Sequence, residues 1–391
     1  MARAYRKEQN MHPIQTFLHG IVETGQVTGA AALVRQGGQE IFFGSAGLRD
    51  LTAGAPFSRD TVMRMFSMSK IVTAAAVLKL CEQNILAPET PVAAILPEYA
   101  HMNVLMPDGT LRPARTKLTI QHLLTMTSGI PYPDAAPAPI SQMYEKQLAA
   151  LGDMRACGTR DFVRAIAQCP LCFEPGETWL YGLSADVLGG IIVAVTGMEL
   201  GDFLKKTFFD PLGMVDTSFS LGEAQAARAA TLYSYVADGS FAPRAEALGY
   251  GLDDSRVEMG GAGLFSTLDD FMAFGEMLRQ GGAGILSPAS IQRMRQNQLT
   301  ENQLSTFWDA PHGYGFGYLV RTLVDERKNG QYRERTGSFG WNGMAGTTLR
   351  IDPARDLTVV FGTQRVPSGS GQLLPQLMQA VDAALTPAAR H

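Results

Sequence analysis

An apolar run early in the chain sets the strongest constraint on the fold. Residues 71–78 read Ile-Val-Thr-Ala-Ala-Ala-Val-Leu, a stretch that suits a helix and is apolar on every side. Such a helix presents no polar face to water, so other elements must surround it. The chain has 391 residues, of which 46% are hydrophobic, and this is enough to build a core around it. We therefore predict a buried central helix.

A serine and a lysine stand at the start of this helix, where a buried helix has little reason to carry a charge. Ser67 and Lys70 are three positions apart, so they share a face about one turn apart. Free N–H groups at a helix start favour developing negative charge. A hydroxyl nucleophile beside an amine that can take its proton suits covalent catalysis. The structural alternative makes Ser67 an N-cap and lets Lys70 reach the surface.

Composition and charge narrow the function classes. The formal net charge is -4 and no long charge run occurs, so neither nucleic acid nor an anionic membrane surface is an expected partner. The N-terminal residues lack the apolar core of a signal peptide, and no run of eighteen apolar residues exists. The expected location is the cytoplasm.

Cysteine and histidine offer weaker functional candidates. Cys169 and Cys172 form a CxxC, but the sequence has no second CxxC or spaced histidine pair to complete a zinc site. We expect reduced structural thiols, no metal and no cofactor. His122 lies on a short apolar helix and is interpreted as a hydrogen-bonded core histidine rather than a catalytic base.

Predicted strands gather at the two ends of the chain and helices in the middle. Strands are expected at 27–34, 40–43, 315–323, 332–336, 346–351 and 357–362. Helices are expected at 12–24, 118–129, 159–168, 184–196, 198–207, 267–280, 287–297 and 372–385. The prediction is an α+β fold, with one antiparallel sheet built from both chain ends, flanking helices and a mostly helical insert. Residues 1–90 and 250–391 would form a discontinuous α/β domain, and residues 91–249 a mostly helical domain.

Two further stretches could complete a serine–lysine site. A Pro-Gly turn at 175–176 presents Tyr181 just before a helix of small and apolar residues, although a tyrosine there could simply pack. The stretch 336–347 has glycines every three residues, which let a backbone approach a ligand closely. Its structural alternative is an ordinary glycine-rich hairpin loop. The Pro/Ala-rich residues 131–139 are interpreted as a loop near a substrate entrance.

Three motifs resemble, in order and rough spacing, those of the serine beta-lactamase and penicillin-binding-protein superfamily. They are Ser67-Met68-Ser69-Lys70, Tyr181-Gly182-Leu183 and Trp341-Asn342-Gly343. Stretches at 96–98, 122–129, 173–176, 210–214 and 260–267 are similar to its class C branch. The resemblance spans roughly residues 14 to 385. It implies a beta-lactamase-like fold with an active site between the two predicted domains.

The departures from the superfamily pattern favour a particular subgroup. In beta-lactamases the second motif is Tyr-x-Asn, whereas Leu183 cannot hydrogen-bond. The third motif there begins with lysine, or with histidine in many D,D-peptidases, and Trp341 cannot attract a substrate carboxylate. Both features resemble family VIII carboxylesterases, which implies a small-molecule ester as the substrate. The sequence lacks Gly-x-Ser-x-Gly, which disfavours an α/β-hydrolase.

The resemblance implies acyl transfer through a covalent ester on Ser67, with Lys70 and Tyr181 as general base and acid. It implies an oxyanion hole made by the backbone N–H groups of Ser67 and Met344. It also implies a substrate pocket that includes Trp341, Asn342, Gly343 and Leu183.

Two proton routes remain open at this point. Burial and the helix N-terminus are expected to lower the pKa of Lys70, so that a neutral amine could act as base. Alternatively, Lys70 stays charged and Tyr181 takes the proton as a phenolate. Rival functions are a beta-lactamase, D,D-peptidase or D-amino-acid amidase, an acyltransferase, and a non-catalytic sensor that forms a stalled acyl-enzyme. The oligomeric state is left open by the sequence.

Overall fold

The centre of the molecule is an eight-stranded antiparallel sheet. The structure, a computed structural model, describes residues 11–153, 155–244, 246, 256–330 and 333–386. The strands in chain order are β1 (Gly29–Gln36), β2 (Gln39–Asp50), β3 (Ala55–Pro56), β4 (Met63–Arg64), β5 (Asn103–Leu105), β6 (Leu111–Pro113), β7 (Tyr233–Tyr235), β8 (Phe241–Pro243), β9 (Phe265–Ser266), β10 (Tyr314–Phe316), β11 (Arg321–Leu323), β12 (Phe339–Asn342), β13 (Thr348–Asp352), β14 (Leu357–Thr363) and β15 (Arg365–Val366). The large sheet has the order β10-β11-β12-β13-β14-β1-β2-β3.

The two chain ends meet within this sheet. In β1, Leu33 lies opposite Val360 of β14 on one side and Phe43 of β2 on the other. Both pairings are antiparallel, and the β14–β1 pair joins the C-terminal strands β10 to β14 to the N-terminal strands β1 to β3. The predicted α+β class and the sheet built from both chain ends are confirmed.

Helices cover both faces of the sheet. The helices are α1 (Pro13–Glu23), α2 (Ser69–Glu82), α3 (Ile120–Leu124), α4 (Ala138–Ala150), α5 (Thr159–Ile166), α6 (Ser184–Thr196), α7 (Leu200–Leu204), α8 (Asp210–Leu212), α9 (Glu223–Ala226), α10 (Leu268–Arg279), α11 (Pro288–Met294), α12 (Glu301–Leu304) and α13 (Ser370–Leu385). Alternate residues of β1 face opposite layers: Ala30 and Ala32 pack with α1 and α13, whereas Ala31 and Leu33 join the larger core. Because both faces are covered, β1 is almost continuously apolar.

Helix α2 runs through the larger core, as its composition predicts. Every residue from Ser69 to Leu78 is buried. A 3₁₀ turn, Phe66–Met68, leads directly into the helix. The predicted start at Ser67 is therefore close to the observed one, and the residue falls in the tight first turn rather than in regular α-helix.

Three sequence predictions are wrong in detail. The strand expected at 315–323 is a hairpin of β10 and β11, in which Tyr314 pairs with Leu323. The described part of the expected strand 332–336 is irregular, and the next strand is β12. The Pro/Ala-rich loop ends at α4, because a proline in the first turn is compatible with a helix.

His122 has the structural role expected for it. Its Nδ1 accepts a hydrogen bond from the Thr119 N–H at 3.2 Å, which caps α3. Burial lowers its pKa.

Within the described ranges, no single helix is long and apolar enough to cross a membrane. The bent helix pair 184–196 and 200–212 reaches the length and hydropathy of a membrane span only when its two parts are taken together.

Candidate active site

Ser67 is held in a strained turn at the start of α2. The preceding residue, Phe66, has a φ of 46°, a left-handed conformation that a bulky side chain rarely adopts. Phe66 is nevertheless buried against Leu232 and Ala345, which hold the turn in place. Strain of this kind persists where the surrounding structure over-determines the backbone, and it is typical of active sites. The turn leaves Ser67 lining a large pocket.

Lys70 lies below Ser67 and is completely buried. Its Nζ is 3.1 Å from Ser67 Oγ and 2.8 Å from the hydroxyl of Tyr132. A third hydrogen bond, of 2.7 Å, goes to the backbone carbonyl of Gly261. A carbonyl can only accept, so this bond fixes one amine proton on Nζ. An ammonium group would use all three of its protons on these three oxygens.

The electrostatics of Lys70 differ from the sequence expectation. Burial alone lowers its pKa, but the oxygens of Tyr132, Tyr181 and Asp186 outweigh burial and raise the pKa above its usual value. The predicted lowering of the Lys70 pKa is therefore wrong, because that prediction counted burial and the helix start and could not count the groups that the fold brings together. The charged form of Lys70 is favoured.

Tyr181 lies beside Lys70 and against Trp341. The Lys70 Nζ is 4.8 Å from the centroid of the Tyr181 ring. The indole N–H of Trp341 donates a hydrogen bond of 3.1 Å to the Tyr181 hydroxyl. The sequence placed Trp341 in the substrate pocket and predicted no hydrogen bond for its indole N–H. The structure adds a polar role, since an N–H donor stabilises negative charge on the oxygen that it reaches.

Tyr132 is a site residue that sequence reasoning missed. Its hydroxyl accepts a hydrogen bond of 2.8 Å from Lys70 Nζ, and its ring centroid is 5.5 Å from that of Tyr181. Burial raises the pKa of Tyr132, against the opposing effect of Lys70. The Pro/Ala-rich loop that carries it was expected near a substrate entrance, but nothing in the local sequence singled out this tyrosine.

The turn after β12 lies at the pocket and packs against the turn that precedes Ser67. Gly346 N–H bonds to the Gly343 carbonyl at 3.1 Å, which closes a turn with Met344 at its first central position. Met344 lines the pocket, and its N–H has no acceptor among the described residues. A side chain at Gly343 would have its Cβ 2.4 Å from the carbonyl oxygen of Met65, so this backbone packs directly on the turn before Ser67.

Asn342 has a mainly structural role at the rim. Its Oδ1 accepts from Arg350 Nη2 at 2.8 Å and from Thr348 Oγ1 at 3.2 Å. Both donors lie on β13, so the side-chain oxygen of Asn342 is already satisfied by the sheet.

The pocket has a volume of about 630 Å³ and two kinds of wall. One wall is aromatic and consists of Tyr181, Trp308 and Trp341. The other is largely apolar and consists of Leu148, Phe162, Leu183, Met259 and Ala262. Asp134, Arg244, Asp309 and Arg321 also line it. No cluster of His, Cys, Asp and Glu able to hold a metal occurs in the described part of the chain.

This fold and this pocket define a beta-lactamase-like hydrolase. A model of the family described as Beta-lactamase matches residues 14–383, and the chain belongs to that family.

Named relatives include enzymes that cleave esters. Esterase EstB of Burkholderia gladioli is 32% identical over 373 residues, which cover 91% of each protein. Lovastatin esterase of Penicillium rubens is 29% identical, with 94% of this chain and 96% of the relative covered. Among solved structures, EstCE1, described as a hydrolase with promiscuous acyltransferase activity, aligns with a TM-score of 0.81 at 27% identity, covering 94% of this chain and 97% of that chain.

Proposed function

We propose that the protein is a serine carboxylesterase that cleaves small esters through an acyl intermediate on Ser67. The observation that carries the proposal is the 3.1 Å separation of Ser67 Oγ and Lys70 Nζ at the floor of an aromatic and apolar pocket. A serine hydroxyl needs a neighbouring group to take its proton and a positive environment to favour its alkoxide. Lys70 supplies the positive environment, because its hydrogen bonds favour the ammonium form.

Proton transfer in this proposal runs to Tyr181. Lys70, as an ammonium, has no lone pair to accept the Ser67 proton. The Tyr181 oxygen accepts a hydrogen bond from the indole N–H of Trp341, and Lys70 Nζ lies 4.8 Å from the centroid of the Tyr181 ring. Tyr181 then takes the proton as Ser67 Oγ bonds to the ester carbonyl carbon. The same proton passes to the leaving alcohol when the C–O bond breaks.

Deacylation repeats these steps with water in place of the alcohol. Tyr181 takes a proton from the water that attacks the acyl carbon, and the proton returns to Ser67 Oγ when the enzyme is released. During both acylation and deacylation, the N–H groups of Ser67 and Met344 would bind the carbonyl oxygen of the substrate as it becomes negative. One such donor is typically worth about 2.7–4 kcal/mol of transition-state stabilisation.

The side chains that line the pocket favour an ester with apolar groups as the substrate over a beta-lactam or a peptide. Leu183, 2% exposed, occupies the place where the family motif has a hydrogen-bonding asparagine. Trp341 occupies the place of a cation, and its N–H is already used by Tyr181. These two positions therefore contribute neither the amide nor the charge that a lactam side chain and carboxylate would require.

The test is a panel of p-nitrophenyl esters of increasing acyl length, compared with nitrocefin. The wild-type protein is expected to hydrolyse the short and medium esters with a kcat/KM far above that for nitrocefin. Ser67→Ala is expected to lose ester hydrolysis. Ester turnover retained in Ser67→Ala, or nitrocefin preferred over every ester, would contradict the proposal.

A second candidate is acyl transfer to an alcohol, which the description of EstCE1 favours. An acyl-enzyme can pass its acyl group to any nucleophile that enters the pocket, and this pocket is larger than a single short acyl group needs. Product analysis with an added primary alcohol separates the two: a new ester that forms faster than the free acid would favour the transferase.

A further inference from the structure

A fully buried carboxylate lies in the same cluster as Lys70. Asp186 is 1% exposed and belongs to the first turn of α6, just after the Tyr181 motif. Its Oδ1 accepts the Gly261 N–H at 2.9 Å, and its Oδ2 has no hydrogen-bond partner in the part of the chain that the structure describes. A buried carboxylate with a free oxygen is unfavourable unless a cation lies close by. The charge of Lys70 stabilises the ionised form of Asp186.

Gly261 connects this carboxylate to Lys70. Its N–H bonds to Asp186, and its carbonyl accepts from Lys70 Nζ at 2.7 Å. A Cβ at position 261 would lie 2.6 Å from Asp186 Oδ2, so the backbone is pressed onto the carboxylate. The neighbouring Gly260 carbonyl accepts from Thr73 Oγ1 of α2 at 2.7 Å. The glycine pair is thus fixed between α2 and α6, with Lys70 on one side and Asp186 on the other.

The titratable groups around the pair come from several elements. Tyr132 on the loop before α4, Tyr181 before α6 and Asp186 on α6 all raise the pKa of Lys70, against the effect of burial. Burial raises the pKa of Asp186, and Lys70 opposes it. The buried phenol of Tyr99 is a further titratable group that interacts with Asp186. Unlike Tyr132 and Tyr181, Asp186 is a carboxyl group, so it can carry negative charge without giving up a phenol proton.

We infer that Asp186 is a positioning residue that keeps Lys70 charged and directed at Ser67, which leaves Tyr181 to take the serine proton. Asp186 acts on Lys70 through its charge and through the Gly261 backbone that both groups share. The inference rests on the proposed function, because it assigns protonation states within that site.

The first test is Asp186→Asn, in which the amide oxygen can still accept the Gly261 N–H but the charge is gone. Without the anion, Lys70 loses its proton at a lower pH, so the alkaline limb of the kcat/KM profile should move to lower pH by about one unit. At the pH optimum of the wild type, kcat should fall at least about tenfold, with KM within about twofold. Asp270→Asn is the matched control, because Asp270 is also a buried aspartate but bonds to Thr217 and the Asp216 N–H. Asp270→Asn should leave the alkaline limb of the kcat/KM profile unmoved.

Two outcomes would overturn the inference. One is an Asp186→Asn variant whose kcat and pH limbs match those of the wild type. The other is an equal loss of kcat in Asp186→Asn and Asp186→Ala with both limbs unmoved, which would make the role one of packing.

A second measurement requires no substrate. Lys70→Met should leave Asp186 as an unpaired buried charge, so adding Asp186→Asn should raise the Tm of the Lys70→Met variant by several degrees. A double variant no more stable than Lys70→Met would contradict the pairing. Because unfolding is independent of turnover, this cycle can succeed even if the wild type hydrolyses no ester, and the two failures are then distinguishable.

Discussion

The hydrogen bond from Trp341 to Tyr181 gives the sharpest quantitative prediction. Trp341→Phe removes the indole N–H that lies 3.1 Å from the Tyr181 oxygen and keeps an aromatic ring against Tyr181 and Phe316. A hydrogen bond to a charged oxygen contributes about 1.5–3 kcal/mol, against about 0.5–1.5 kcal/mol for a neutral one. At 1.36 kcal/mol per factor of ten, a Tyr181 oxygen that carries negative charge in the transition state predicts a loss of roughly 13- to 160-fold in kcat.

The assay is steady-state hydrolysis of a short p-nitrophenyl ester from acid to alkaline pH. We expect kcat to fall in Trp341→Phe across this range, because the Tyr181 oxygen loses its hydrogen-bond donor. Trp308→Phe is the control: Trp308 also packs on the Tyr181 ring, but it is 52% exposed and makes no hydrogen bond to Tyr181. A Trp341→Phe variant with kcat within about twofold of the wild type would refute the reasoning.

Three further predictions follow from named contacts. Lys70→Ala and Tyr181→Phe should each lower kcat by orders of magnitude in the same assay, and a change confined to KM would remove either residue from the chemistry. Gly343→Ala should lower kcat more than about tenfold, because the new Cβ would lie 2.4 Å from the Met65 carbonyl oxygen and displace the turn that carries the Met344 N–H. Gly371→Ala is the control. Gly371 lines the pocket with open space around it, so this substitution should leave kcat unchanged. Burial raises the pKa of Asp270 to about 6, so the folded state binds the carboxyl proton more tightly than the unfolded state does. Binding of this proton stabilises the folded state at low pH, and the stabilisation is lost as the pH rises from about 4 to about 6. The Tm of Asp270→Asn relative to wild type should therefore rise over that range, and a constant difference would contradict the shift.

Contacts within one stretch of chain could be predicted from sequence. Ser67 and Lys70 are one helical turn apart, and the apolar residues after them identify a buried helix, so their proximity follows from local geometry. The strands at both chain ends follow from alternating and apolar runs, although β12 and the β10–β11 hairpin were misplaced. Glycine-rich sequence there gave no clear period of two from which to set the strand limits.

Contacts between distant stretches could be predicted only where a family motif marks both of them. Tyr132 and Gly261 reach Lys70 only because the fold brings a proline-rich loop and a glycine-rich loop to the same buried amine. The direction of the Lys70 pKa shift depends on Tyr132, Tyr181 and Asp186, which come from separate stretches of the chain. The choice between Lys70 and Tyr181 as the proton acceptor depends on that direction. Sequence reasoning could count the burial of the amine but not the oxygens that surround it.

The most direct test of the account is the intact mass of the protein during turnover of a slowly hydrolysed ester, followed by peptide mapping. Covalent catalysis at Ser67 predicts a transient mass increase equal to the acyl group, located on Ser67 and missing in Ser67→Ala. Turnover without such an adduct, or an acyl group on another residue that survives the Ser67→Ala substitution, would contradict it.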